Sequence, residues 1–202
     1  MPGDGSSADS PGVSCKQILD DGHDTGTGEY WIDPPGGVGV ISVFCEMEFE
    51  DGGWTRVFID EFQPEPQPGW TDAATVMCGQ LGMVLGPHTG PVDRTIDLLG
   101  IEHGEMWLDG TMVFLDSWDG ELGWILVDGT QVWAQDCQLN DEEKCDSAFN
   151  LCGQPFWADG LVDFKPVFQT EEPTVNLQFD SSLDEGTDNE AYGVASLEVY
   201  VR

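Results

Sequence analysis

Long helical periodicity is nearly absent from this chain, and that absence constrains the fold more than any other feature. Apolar residues fall in short or alternating runs broken by Gly, Asp and Pro, as in Val38–Met47, Trp54–Asp60, Glu105–Leu115, Leu122–Trp133, Leu161–Gln169, Thr174–Asp180 and Tyr192–Val201. Runs of that length with turn residues between them read as strands. Asp128-Gly129-Thr130 interrupts the run Leu122–Trp133, and Asp-Gly between apolar strands marks a hairpin. Helix is expected only around Lys16–Asp21 and over Trp70–Leu81, where Thr71 or Asp72 would cap it. Many short strands with such turns imply a mainly β protein built as an antiparallel, jelly-roll-like sandwich. The chain has 202 residues, of which 40% are hydrophobic and eight are Trp, enough to build a core.

Charge narrows the partners. Lys and Arg number 6 against 39 Asp and Glu, a formal net charge of −33. Such a surface repels nucleic acid and anionic membrane and attracts cations. No apolar run is long enough to span a bilayer, so no membrane insertion is expected.

Six cysteines, at 15, 45, 78, 137, 145 and 152, form no CxxC pair and have no His at zinc spacing. They are expected to form disulfides, which places the chain in a secreted, extracellular or cell-surface-tethered setting. Six cysteines admit fifteen pairings, and spacing alone selects none. One arrangement closes the acidic loop QLNDEEK by pairing Cys137 with Cys145 and leaves Cys78 to pair with Cys152. Residues 1–14 have neither a basic nor an apolar segment, so they are expected to be a flexible Gly/Ser/Pro/Asp linker, with any export signal removed upstream. A Pro- and Gln-rich stretch, residues 61–69, separates a compact segment 15–60 from a longer β-rich region 70–202.

Within residues 14–57 the motifs run SCKQIL, GEYWIDPPGG and VFCEMEFEDGGWTRV. This order resembles the N-terminal subdomain of fibrinogen-related domains and intelectin-type lectins. The resemblance implies a small fibrinogen-like subdomain stapled by Cys15–Cys45. Tyr30, Ile32, Phe44, Met47 and Trp54 are spaced to fill an apolar layer, and Gly52-Gly53 permits a positive-φ turn that folds the Trp54 indole inward. After Val57 the chain departs from those families, so their binding residues do not carry over. The phrases DSWDGE, VDGTQVW and LDEGTDNEAYGV resemble segments of secreted, cysteine-containing β-sandwich modules of bacterial and protist surface proteins. That second resemblance implies architecture alone.

Two acidic clusters are candidates for function. One is Asp116-Ser117-Trp118-Asp119-Gly120-Glu121 and the other Asp184-Glu185-Gly186-Thr187-Asp188-Asn189-Glu190. Carboxylates and amides on tight Gly-containing loops suit Ca²⁺, which takes six to eight oxygens in irregular geometry. If strand pairing brings the loops together, Asp116, Asp119, Glu121, Asp184, Asp188, Asn189 and Glu190 form the expected ligand set. Asp141-Glu142-Glu143 reads as plain surface. Trp118 is the expected stacking face for a sugar, with Trp124 and Trp133 as further candidates, although Trp in an alternating strand is more often core.

Catalysis is not expected. Gly-x-Ser-x-Gly, HExxH and P-loop motifs are absent, the three histidines (His23, His88 and His103) are scattered, and no carboxylate pair is singled out for glycoside hydrolysis. The expected function is calcium-assisted binding or adhesion, lectin-like, with a glycan or extracellular surface component as partner. The alternative is a structural subunit of an extracellular layer or filament, in which self-assembly through calcium-bridged acidic faces replaces ligand binding.

Overall fold

The computed structural model describes residues 2–138 and 146–202. Its strands are β1 Gly28–Ile32, β2 Ile41–Glu46, β3 Trp54–Asp60, β4 Thr75–Met77, β5 Met83–His88, β6 Val92–Asp97, β7 Glu105–Asp116, β8 Asp119–Val127, β9 Thr130–Gln138, β10 Asp146–Phe149, β11 Asp159–Phe164, β12 Val167–Gln169, β13 Thr174–Ser181 and β14 Glu190–Val201. The helix α1 is Cys15–Asp20. The large sheet runs β1-β2-β3-β14-β7-β11-β10, with β5 also on β14, β4 on β5 and β12 on β7. A four-stranded sheet runs β6-β13-β8-β9. The named strand pairs are antiparallel throughout. The fold is thus mainly β, as the short apolar runs implied.

The core lies between the two sheets. Met106, Leu108, Met112 and Phe114 of β7 meet Ile125 and Val127 of β8 and Val175, Leu177 and Phe179 of β13 in one buried cluster. The other face of the large sheet is also covered, as the alternation along β7 requires. Trp107 packs with Trp54 and Tyr200, while Val113 and Leu115 pack with Cys78 and Cys152. On β14 the inward residues are Tyr192 and Val194, then Leu197, Val199 and Val201. A register shift between Val194 and Ser196 produces this change of parity, since one extra residue exchanges the two faces of a strand.

Helix α1 starts where Ser14 accepts the Gln17 amide hydrogen, at 3.2 Å, a side-chain N-cap. Both Gly52 (φ +66) and Gly53 (φ +77) take the left-handed turn expected of them. A Cβ on Gly53 would lie 2.9 Å from the Lys16 Cα, so glycine is what lets the turn approach α1. Trp54 is fully buried and its indole N–H donates to the Phe49 carbonyl at 3.2 Å. The aromatic set read from this segment divides between two faces: Tyr30, Ile32 and Met47 join the inter-sheet core, whereas Trp54, with Phe44 against it, joins the Trp107 cluster.

Two expectations are corrected. Residues 70–81 are not helical, because β4 and a single 3₁₀ turn, Gly79–Leu81, occupy them. Asp72 accepts the Ala74 amide two residues on, a local turn in place of a helix cap, and β-branched Thr75 and Val76 then pair with β5. Residues 2–14 are a packed strap and not a loose linker. Gly5 accepts from the Trp31 amide, Gly12 donates to the Trp31 carbonyl, and Asp33 donates to Gly12, so the strap occupies the outer edge of β1. Residues 61–69 are pinned as well, for Asp60 accepts the amides of Phe62 and Gln67 and the Trp70 indole N–H. The large sheet runs without a break across the division at 60 and 70, through the pairing of β3 with β14.

Cys15–Cys45 and Cys78–Cys152 are disulfides with Cα separations of 5.5 and 4.5 Å. Cys137 is also disulfide-bonded, but the expected pairing with Cys145, like the acidic stretch 141–143, lies outside the described residues. Among the described residues no helix is long and apolar enough to cross a membrane.

Candidate functional site

The two acidic loops meet at one end of the sandwich. Strand pairing begins the approach, with Glu190 opposite Asp116 in the β7–β14 ladder and Ser181 opposite Gly123 in the β13–β8 ladder. Cross-loop hydrogen bonds complete it. Ser117 donates from its amide (3.2 Å) and hydroxyl (3.0 Å) to the Asn189 carbonyl. The Leu122 amide donates to the Ser182 hydroxyl, and the Ser182 amide donates back to the Leu122 carbonyl, both at 2.8 Å. The turn itself is tight, for the amides of Asn189 and Glu190 both reach the Gly186 carbonyl.

This geometry places carboxylate oxygens of Glu121, Asp184 and Glu190 within 4.8 Å of one another, a spacing that one metal ion can bridge. Glu190 is 4% exposed, and its Oε2 is buried with no hydrogen-bond partner. Burial first, then repulsion from Glu121, Glu185, Asp119 and Asp184, pushes its carboxyl up to about 7. Burial also acts against the Glu121 charge, but the amides of Asp119, Glu121 and Gly120 and the Asp119 side chain outweigh it and hold that carboxyl below the ordinary range. Asp119 is raised, by its hydrogen bond to Glu121 and then by repulsion from the same group. The cluster is therefore an array of like charges that a divalent cation would relieve.

The expected ligand set separates into distinct roles. Glu121, Asp184 and Glu190 converge, and Asp119 borders them. Asp116 does not join. It is 2% exposed, and its carboxylate accepts the Gln154 amide at 2.5 Å on the neighbouring loop. Asp188 is exposed and folds over its own loop, 3.0 Å from where a Gly186 Cβ would stand. Asn189 contributes its backbone carbonyl to the cross-loop bonds and also lines the cavity described next.

Trp118 is not a stacking face. It is 1% exposed, its indole N–H donates to the Ala191 carbonyl at 2.7 Å, and its ring meets Phe114 edge-on at 4.6 Å. An indole whose N–H finds a buried carbonyl is well placed in a core, and this one underpins the acidic loop. Trp133 likewise packs against Phe164, 5.7 Å between ring centroids.

An exposed tryptophan outside the expected set lies beside the acidic loops. An open cavity of about 280 Å³ is lined by Asp119, Glu185, Asn189, Glu190 and Trp157 together with Ser117 and Trp118. Trp157 is 46% exposed and its neighbour Phe156 88%. Their loop is held firmly. Asp159, fully buried, accepts the amides of Leu151 (2.6 Å), Cys152 (2.8 Å) and Asp116 (3.2 Å). The Asn150 amide group donates to the carbonyls of Gln154 and Trp157, and the Cys78–Cys152 disulfide anchors the base. Gly153 has φ +90, and a Cβ there would sit 2.6 Å from both Asp116 carboxylate oxygens.

No protein-family model matches the chain, and no curated protein matches it. Solved structures do. Dimeric latent PorU from Porphyromonas gingivalis aligns with a TM-score of 0.47 and 11% identity over 71% of this chain, which spans 12% of that protein. The C-terminal CBM6 of LamC, a marine laminarinase from Zobellia galactanivorans, aligns with a TM-score of 0.39 and 11% identity over 72% of this chain and 98% of that module. A CBM36-1 domain of a multidomain xylanase from the hindgut metagenome of Trinervitermes trinervoides gives 0.40 and 9% over 70% and 94%. The fibrinogen- or intelectin-type resemblance of residues 14–57 rests on its motif order alone.

Proposed function

We propose that the chain is an extracellular, calcium-assisted binding or adhesion module, lectin-like in taking glycans, and that it acts by binding and not by catalysis. The observation that carries the reading is Glu190: a buried carboxylate with an unpartnered oxygen, facing Glu121 and Asp184 at ligand spacing. A buried anion without a partner is costly, and a coordinated cation removes that cost. Asp184 is exposed, so the ion would remain open to solvent on that side. Calcium takes six to eight oxygens, and three carboxylates leave positions for water or for ligand hydroxyls. Disulfides fit an oxidising, extracellular setting.

The test is thermal unfolding of the non-reduced protein in EDTA against millimolar calcium, with magnesium as control. Calcium at a hundredfold its dissociation constant adds roughly 2.7 kcal/mol, a rise of several degrees. An identical midpoint in EDTA and calcium would reject the reading.

A further inference from the structure

The acidic loops have an aromatic wall that neither of them supplies. Trp157 lines the same cavity as Asp119, Glu185 and Glu190, yet it comes from the loop before β11. It is the most exposed of the eight tryptophans, in a chain that buries Trp54, Trp70, Trp107 and Trp118 almost completely. A half-exposed indole forgoes much of the burial energy available to it, and a mobile loop would readily fold it inward. This loop is not free to do so. Two buried carboxylates, a disulfide and the Asn150 side chain fix its backbone. An aromatic side chain presented on a fixed loop loses less entropy when something stacks on it than one on a mobile loop.

We propose that Trp157 is the stacking residue of this site and that its ligand is a pyranose carrying vicinal hydroxyls. The assignment rests on the calcium-assisted reading above and gives it a substrate class. A pyranose has the two surfaces that the cavity matches. Its C–H face packs on an indole, and its paired hydroxyls are hard oxygen donors for a cation held by Glu121, Asp184 and Glu190. The polar lining opposite Trp157 is anionic, and among the described residues no cationic side chain lines the cavity, so an anionic ligand is disfavoured. A lipid surface is disfavoured by the net charge of −33.

A glycan array probed in calcium with wild type, Trp157→Ala and Trp157→Phe is the test, with calcium-dependent thermal shift measured on each protein. Wild type is expected to bind one or more pyranosides only in calcium. Trp157→Ala should weaken binding about tenfold or more, with Trp157→Phe recovering most of it. All three should keep the calcium shift, since Trp157 supplies no ligand oxygen. A blank wild-type array, or equal binding by Trp157→Ala, would overturn the proposal. Loss of the calcium shift in Trp157→Ala would also overturn it, by making Trp157 structural. Calcium-dependent capture of phosphatidylserine vesicles in place of glycans would reject the ligand class. The calcium shift of wild type reports separately on the metal reading, so the two can fail independently.

Discussion

Asp116 and Glu190 stand opposite each other across the β7–β14 ladder, yet their carboxylates serve different loops. Glu190 faces Glu121 and Asp184, while Asp116 accepts the amide of Gln154 and so holds the loop that carries Trp157. One rung of the sheet thus supports both walls of the cavity.

The difference is measurable with one substitution at each residue. Glu190→Gln should abolish the calcium-dependent rise in the unfolding midpoint and leave the EDTA midpoint unchanged or higher, because a buried charge is removed. Asp116→Asn should keep the calcium response and lower stability by about 1–3 kcal/mol, since the Gln154 amide loses a charged acceptor.

Stability without calcium should depend on pH through Glu190. Burial and the neighbouring carboxylates push its folded carboxyl up to about 7 from an ordinary 4.5, so between those values the folded chain holds a proton there that the unfolded chain has released. The contribution is complete below the ordinary value and is lost as the pH rises through the folded value. Unfolding in EDTA should therefore occur progressively earlier across that window. Glu190→Gln should flatten the dependence, and saturating calcium should reverse it.

Trp118→Ala should destabilise by roughly 3–5 kcal/mol, the cost of emptying a site among large buried side chains. Denaturant unfolding would show this directly. A stable Trp118→Ala protein that had only lost glycan affinity would contradict the buried placement.

The Cys78–Cys152 pair closes a sequence separation of 74 residues. Replacing both with Ser should cost roughly 2–5 kcal/mol. Asp159→Ala should cost about 2–4 kcal/mol, because three amides lose one buried acceptor. Chemical denaturation of each variant under non-reducing conditions gives both values.

Calcium should not change the size of the particle on gel filtration. A shift to larger species on adding calcium would favour a self-assembling extracellular subunit over a binding module.

Much of the strand order could be read from alternation. Trp54–Asp60 and Thr174–Asp180 coincide with β3 and β13 within a residue, and the Asp128-Gly129 turn separates β8 from β9. The failures have local causes. Trp70–Leu81 suggested a helix, but Asp72 bonds its own turn and Thr75 and Val76 prefer a ladder. Residues 2–14 suggested a linker because hydrogen bonds to the edge of a distant strand leave no mark in composition. Both acidic loops stood out as clusters, yet which carboxylates converge depends on strand register. Trp157 was missed because it lies far in sequence from either cluster. The available signal was Phe156-Trp157 beside Gly153 and Pro155, two aromatics in a turn with no alternating partner.

The place of β14 in the large sheet has a kinetic consequence. It lies between β3 and β7, so the β1–β3 half and the β7–β11 half have no ladder in common until it arrives. It is also the last strand in the sequence and supplies Glu190. Assembly of the sheet must wait for pairings distant along the chain, which makes for slow closure. The carboxylate that completes the Glu121, Asp184 and Glu190 group arrives with the same strand. A cation bound there would act as a latch on a finished fold and not as its nucleus, so calcium should slow unfolding far more than it speeds refolding.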